Sequence, residues 1–210
     1  PLGRLERTTR WLTITTFGST EAIEREARRV NELHSHVNGK YPAKDGKTQS
    51  YSARDARHLL WVHCAFTDSF LRAHLELGYP ISLGADRYVQ EWSKSAIPLG
   101  LNSAPQSALE LQETIDGFVL NEVETIGMTP PIVRFILKPP FSRGGLFFYR
   151  ILANAAIATI DEPFLKVLGL KKRSKIWLRV SRRLLDFLSY MLGHESPSQK
   201  IARARIQALQ

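Results

Sequence analysis

The stretch STEAIEREARRVNELHSHV, residues 19–37, decides the fold class. Ile23, Ala27, Val30, His34 and Val37 recur at i, i+4, i+7, i+11 and i+14, which is one face of an α-helix. Ser19 or Thr20 caps its start, and Glu21 and Glu24 lie in the first turn, where the helix dipole favours them. Asn38-Gly39 supplies a helix stop. His34 therefore occupies a position that suits an apolar side chain. His36 falls on the opposite side with Arg25, Arg29 and Glu32, facing water.

A second helix, residues 53–77, repeats the anomaly: its stripe is Leu59, His63, Phe66 and Phe70. An inward imidazole needs a partner, because a buried polar group without one is costly. Donation to a backbone carbonyl is the commoner solution for either histidine alone. A metal or haem iron is the other. Zinc spacing is absent: there is no His-Glu-x-x-His, and Cys64 is the only cysteine. Cys64 reads as a small core residue.

Outward from these two segments the pattern is helix after helix. Residues 4–16 form a first helix that Phe17-Gly18 ends, and Gly78-Tyr79-Pro80 ends the third. Further helices fall at 82–96, 107–124, 146–159, 163–168 and 174–192. Met128-Thr129-Pro130-Pro131 reads as a break before a short element at 132–137. Ser196-Pro197 caps a basic C-terminal helix, within residues 196–210. Residues 40–50 are polar, with Pro42 and Asp45-Gly46, and read as a loop or short hairpin. Strand signals are few. The expectation is an all-α fold, a single-domain helical bundle over residues 1–210 with room for a ligand between helices.

The chain has 210 residues, 43% of them hydrophobic, enough for one sizeable core. It opens on Pro1 rather than methionine, so it reads as N-terminally incomplete, with room for a targeting segment ahead of it. No apolar run has the length of a membrane span; the nearest, 145–160, carries Arg150 and Asn154. A cytoplasmic, membrane-peripheral location is the expectation. The formal net charge is +9, with Lys171, Lys172, Arg173, Lys175, Arg179, Arg182 and Arg183 clustered together. Such a cluster is more often a solvated helix face, and it also suits an anionic membrane surface. Nucleic acid is disfavoured, since no recognition motif accompanies the charge.

Several pieces, in order, carry a resemblance. Residues 1–8 read PLGRLERT, followed by Phe17-Gly18, then RVNELHSHVNG at 29–39, LLWVH at 59–63, and Asp86-Arg87-Tyr88 with Glu91. Together they resemble the catalytic domain shared by latex-clearing rubber oxygenases and MpaB-type oxygenases, over most of the chain to about Gly100. The resemblance implies an all-helical fold with haem b, and His34 as the iron ligand. It implies that Arg4, Arg7 and Thr8 line the other side of the haem as catalytic groups, Arg4 also contacting the cofactor. Rubber-cleaving members have a lysine where Arg7 stands here. A guanidinium keeps its proton, so Arg7 is not an iron ligand.

The residues themselves agree in part: Arg4, Thr8 and Trp11 share a face at i, i+4 and i+7. An exposed helix with surface ion pairs accounts for that spacing equally well. His63 is expected behind His34 or a propionate, with Asp68 and Ser69 in the same network. Asp86, Arg87 and Glu91 are expected to brace helices. Phe66, Phe70, Phe147, Phe148 and Phe164 are candidates to line an apolar channel. The function expected is a haem-dependent oxygenase using dioxygen on an apolar, isoprenoid substrate. The alternative is a non-catalytic haem- or lipid-binding helical protein at a membrane, reached through the basic C-terminal region.

Overall fold

The computed structural model describes residues 2–42 and 48–208, with the side chains of Leu2, Arg4 and Pro42 outside that description. The expected Asp45-Gly46 turn and the side chain of Arg4 thus fall outside the described residues. Ten α-helices carry the described chain: α1 (Leu2–Phe17), α2 (Thr20–Ser35), α3 (Ala56–Leu77), α4 (Gly84–Ser93), α5 (Ala108–Asn121), α6 (Thr129–Leu137), α7 (Arg143–Thr159), α8 (Glu162–Leu168), α9 (Ile176–Leu192) and α10 (Pro197–Gln207). The all-helical expectation holds, with one small exception. Strands β1 (Asn38–Pro42) and β2 (Thr48–Ser52) form an antiparallel hairpin between α2 and α3, pairing Asn38 with Ser52 and Pro42 with Thr48.

That hairpin corrects the expected end of α2. The helix stops at Ser35, and Asn38 contributes to the stop through its side chain: its Nδ2 donates to the Ser35 carbonyl at 2.9 Å. Gly39 then lies in a strand and does not provide a left-handed cap. Val37 sits past the helix, so the 3.6-residue period no longer governs it, and it is 45% exposed. The prolines at 130–131 correct a second expectation. They lie in the first turn of α6, where a missing N–H costs nothing, so they open a helix.

Helix α3 is the centre of the bundle. Asp55 caps its start by accepting from the Arg57 N–H at 2.7 Å. Gly78, at φ +72°, ends it in a left-handed conformation that glycine adopts without strain. One face, Cys64 and Leu71, packs with Val89 of α4 and Leu111 and Ile115 of α5. Another side meets α7 and α9, where Ala155, Ala158 and Leu178 form a second buried cluster against Leu77. Cys64 is fully buried, as expected, and burial pushes its thiol up to about 11. Asp86 accepts from the Ala108 N–H at 2.8 Å and so ties α4 to the start of α5. Arg87 and Glu91 pair within α4, so they do not bridge helices as expected.

Two cations of the basic regions serve as helix stops. Arg182 donates to the Leu77 and Gly78 carbonyls at 2.6 Å each, at the end of α3. Arg205, on α10, donates to the Phe17 and Gly18 carbonyls at 3.0 Å each, at the end of α1. A cation there answers both the unpaired carbonyls and the negative end of the helix dipole. Replacing Arg205 with Ala should therefore lower the urea unfolding free energy by about 1 kcal/mol. Arg203→Ala, which breaks only an exposed pair with Glu195, should cost about half of that or less. Equal losses would contradict the capping role.

Candidate functional site

Helices α1, α2, α3 and α4 and the hairpin's end line a half-open cavity of about 520 Å³. Its size lies within the range of small-molecule sites. Arg7, Thr8 and Trp11 reach it from α1, Arg29, Val30 and His34 from α2, and His58, Leu59, His63 and Phe66 from α3. Trp92 and the segment after α4 close it. Asn31 holds α2 to that segment, donating to the Pro98 carbonyl at 3.2 Å. The four expected residues whose side chains are described, Arg7, Thr8, His34 and His63, thus share one cavity.

The imidazoles define its chemistry. His34 Nδ1, His58 Nδ1 and His63 Nε2 are each buried without a hydrogen-bond partner among the described residues, the Asp55 carboxylate standing 3.8 Å from His58 Nδ1. Burial pushes the His34 ring below the usual histidine range, and it pushes His63 down to about 4. Both rings are neutral at physiological pH, the form that ligates iron. His36 points outward, as expected, with its Nδ1 2.9 Å from the Glu32 carbonyl.

Arg29 corrects its expected outward placement. It lines the cavity and pairs with Glu26, which is 2% exposed. Arg10 of α1 holds the same carboxylate at 3.0 Å, so Glu26 fastens α1 onto α2 at the cavity's edge. The hydrogen bonds from Arg29 hold the Glu26 carboxyl below the ordinary range, outweighing its burial. Glu26 is one residue before Ala27 of the apolar stripe, and only its pairing with two cations explains a carboxylate there.

Two expected groupings do not form. Asp68 pairs with Arg72 at 2.8 Å, and Arg72 with Asp161 at 2.8 Å, so Asp68 is not in the network of His34. Asp68 and Ser69 border a different cavity, of about 440 Å³, on the α7 and α9 side of α3. Phe164 borders that one too, whereas Phe147 and Phe148 are exposed on α7. Only Phe66 of the five phenylalanines lines the histidine cavity. Phe70 stands behind it, stacked on Phe66 at 5.8 Å and edge-on to Trp92 at 6.0 Å.

Conversely, His58, Arg29 and Tyr51 were missed as cavity residues. His58 lies with Val62 and Phe66 at i, i+4 and i+8, beside the Leu59 stripe, and that second stripe was the available signal. Among the described residues no three His, Cys, Asp or Glu side chains gather into a metal site.

A family model described as "ER-bound oxygenase mpaB/B'/Rubber oxygenase, catalytic domain" matches residues 1–190. The chain belongs to this oxygenase family. The match runs well past Gly100, where the visible resemblance faded, and takes in α5 to α8 and most of α9. No curated protein and no solved structure matches the chain. Among the described residues no helix is long and apolar enough to cross a membrane.

Proposed function

We propose that this member of the oxygenase family binds haem b through His34 and oxygenates an apolar, isoprenoid-like substrate. The observation that carries the reading is the His34 imidazole, whose neutral form burial favours, on the wall of a roughly 520 Å³ cavity with no hydrogen-bond partner for its Nδ1 among the described residues. Haem supplies, when bound, the iron-centred activation of dioxygen that oxygen transfer to a carbon–carbon double bond requires.

The chain's own groups have separate tasks. His34 would hold the iron. His63, on the next helix, would keep that ring and its surroundings oriented. Arg7 and Arg29 offer guanidinium donors to the propionate carboxylates, and Arg4 joins them through the family resemblance. Thr8 would give a hydroxyl to the oxygen side. Trp11, Val30, Leu59 and Phe66 exclude water and accept an apolar chain. The alternative, a non-catalytic haem- or lipid-binding protein, draws on the second cavity of about 440 Å³, which has apolar walls from α7 and α9.

Spectra of the purified protein supplied with haemin test the reading. A Soret band and a pyridine haemochrome of the b type should appear at about one haem per chain. Absence of both rejects the haem site. Oxygen uptake in the presence of an isoprenoid oligomer then separates the enzyme from a carrier: uptake no faster than with free haemin would leave the carrier.

A further inference from the structure

Residues 125–160 contain no Asp or Glu and four cations, Arg134, Lys138, Arg143 and Arg150. The same stretch is poorly covered. From residue 119 to residue 154 no side chain is buried. Nine large apolar residues between Ile126 and Leu152 are each more than a third exposed, among them Ile132 at 50%, Ile136 at 53%, Phe147 at 62% and Phe148 at 52%. This is not a loose tail. Tyr149 of α7 donates to the Ile136 carbonyl of α6 at 2.6 Å, and Phe141 meets the Tyr149 ring edge-on at 5.4 Å. Beside it, α6 and α8 form a groove of about 370 Å³ whose charged lining residues are Arg134, Lys138 and Lys166.

We infer that the α6–α7 face, with the α6–α8 groove, docks this protein on an anionic phospholipid bilayer. Phenyl and branched side chains enter the interface, and the three groove cations take phosphate headgroups. Charge selects this occupant. A second copy of the chain would bring Arg134, Lys138 and Arg143 close to their own equivalents. The basic C-terminal region is the weaker candidate, because Arg182 and Arg205 already serve helix ends within the molecule. The inference is independent of haem, so its failure leaves the haem reading intact.

Co-sedimentation of the full chain with phosphatidylcholine vesicles, with and without phosphatidylserine, tests it. Binding should need phosphatidylserine and weaken with salt. Lys138→Glu with Arg143→Glu should weaken it by at least about 20-fold, taking about fivefold per cation. Phe147→Ser with Phe148→Ser should weaken it by at least about tenfold. Met191→Ser with Leu192→Ser, at exposed apolar positions on α9, and Lys200→Glu on α10 should change it little.

A second measurement does not depend on those variants folding. Cys64 is buried, so a polarity-sensitive dye on Phe148→Cys reports only that site. Its emission should shift to the blue with anionic vesicles, and a dye on Met191→Cys should not. Equal binding to both vesicle types, loss through the α9 or α10 variants instead, or a dimer through this face with no vesicle binding would each overturn the inference.

Discussion

His34→Ala should lose the Soret band, or bind haemin at least about a hundredfold more weakly, while its far-ultraviolet circular dichroism stays that of the parent. Losing the ligand itself should exceed the 10–100-fold effect that loss of a supporting residue typically has. The substitution removes a half-buried ring from a cavity wall, so the fold has little reason to fail. Added imidazole should restore part of the spectrum by entering the vacated space, which a purely structural role for His34 would not allow. His36→Ala is the internal comparison. Its ring is exposed and bonded locally near the Glu32 carbonyl, so its haem spectrum should match the parent's. If His36→Ala loses the band and His34→Ala keeps it, the assignment of the two faces of α2 is reversed.

The facing of α2 was legible because periodicity needs only local sequence. Ile23, Ala27, Val30 and His34 all keep the expected side, and Val37, though past the end of the helix, still lines the same cavity as His34. Glu26 was illegible for a different reason. A carboxylate beside an apolar stripe reads as solvent-facing until Arg10, 16 residues earlier, is known to reach it. The facing of Arg29 follows from the same pair. Both are long-range electrostatics, which a helical period does not encode.

The phenylalanines fail on the same principle. Phe66 is on the cavity because α3 presents it beside His63, a local relation. Phe147, Phe148 and Phe164 are placed by how α7 and α8 pack on α3 and α9, and no spacing within their own helices reveals that. The histidines show the converse. Three buried imidazole nitrogens at one cavity, with no hydrogen-bond partner among the described residues, depart from the rule that buried polar groups are paired, and such departures are where a site is looked for. The sequence pattern exposed two of the three.

That same burial should make the cofactor-free protein lose stability between about pH 6.5 and pH 4. His63 is held at about 4 in the folded chain by desolvation, against 6.5 when the chain is unfolded. Its folded pKa is the lower one, so the unfolded state binds more protons over that interval. Stability is then complete above about pH 6.5 and falls as the pH drops towards 4. A difference of that size corresponds to roughly 3 kcal/mol once the pH has passed below both values. His34, shifted the same way, adds to the slope. Glu26, with its depressed carboxyl pKa, acts in the same direction but below the unfolded carboxylate value of 4.5. Between pH 7 and pH 5 the carboxylates contribute little, so urea unfolding at those two values is dominated by the histidines. The parent should lose about 2 kcal/mol between them. His63→Leu should lose much less, and at pH 7 it should be at least as stable as the parent, because an unpaired buried nitrogen has gone. Yet it should hold haem about 10–100-fold less tightly. A variant as pH-sensitive as the parent would place the titrating group elsewhere. One that gains stability and keeps full haem affinity would make His63 a core residue with no part in the site.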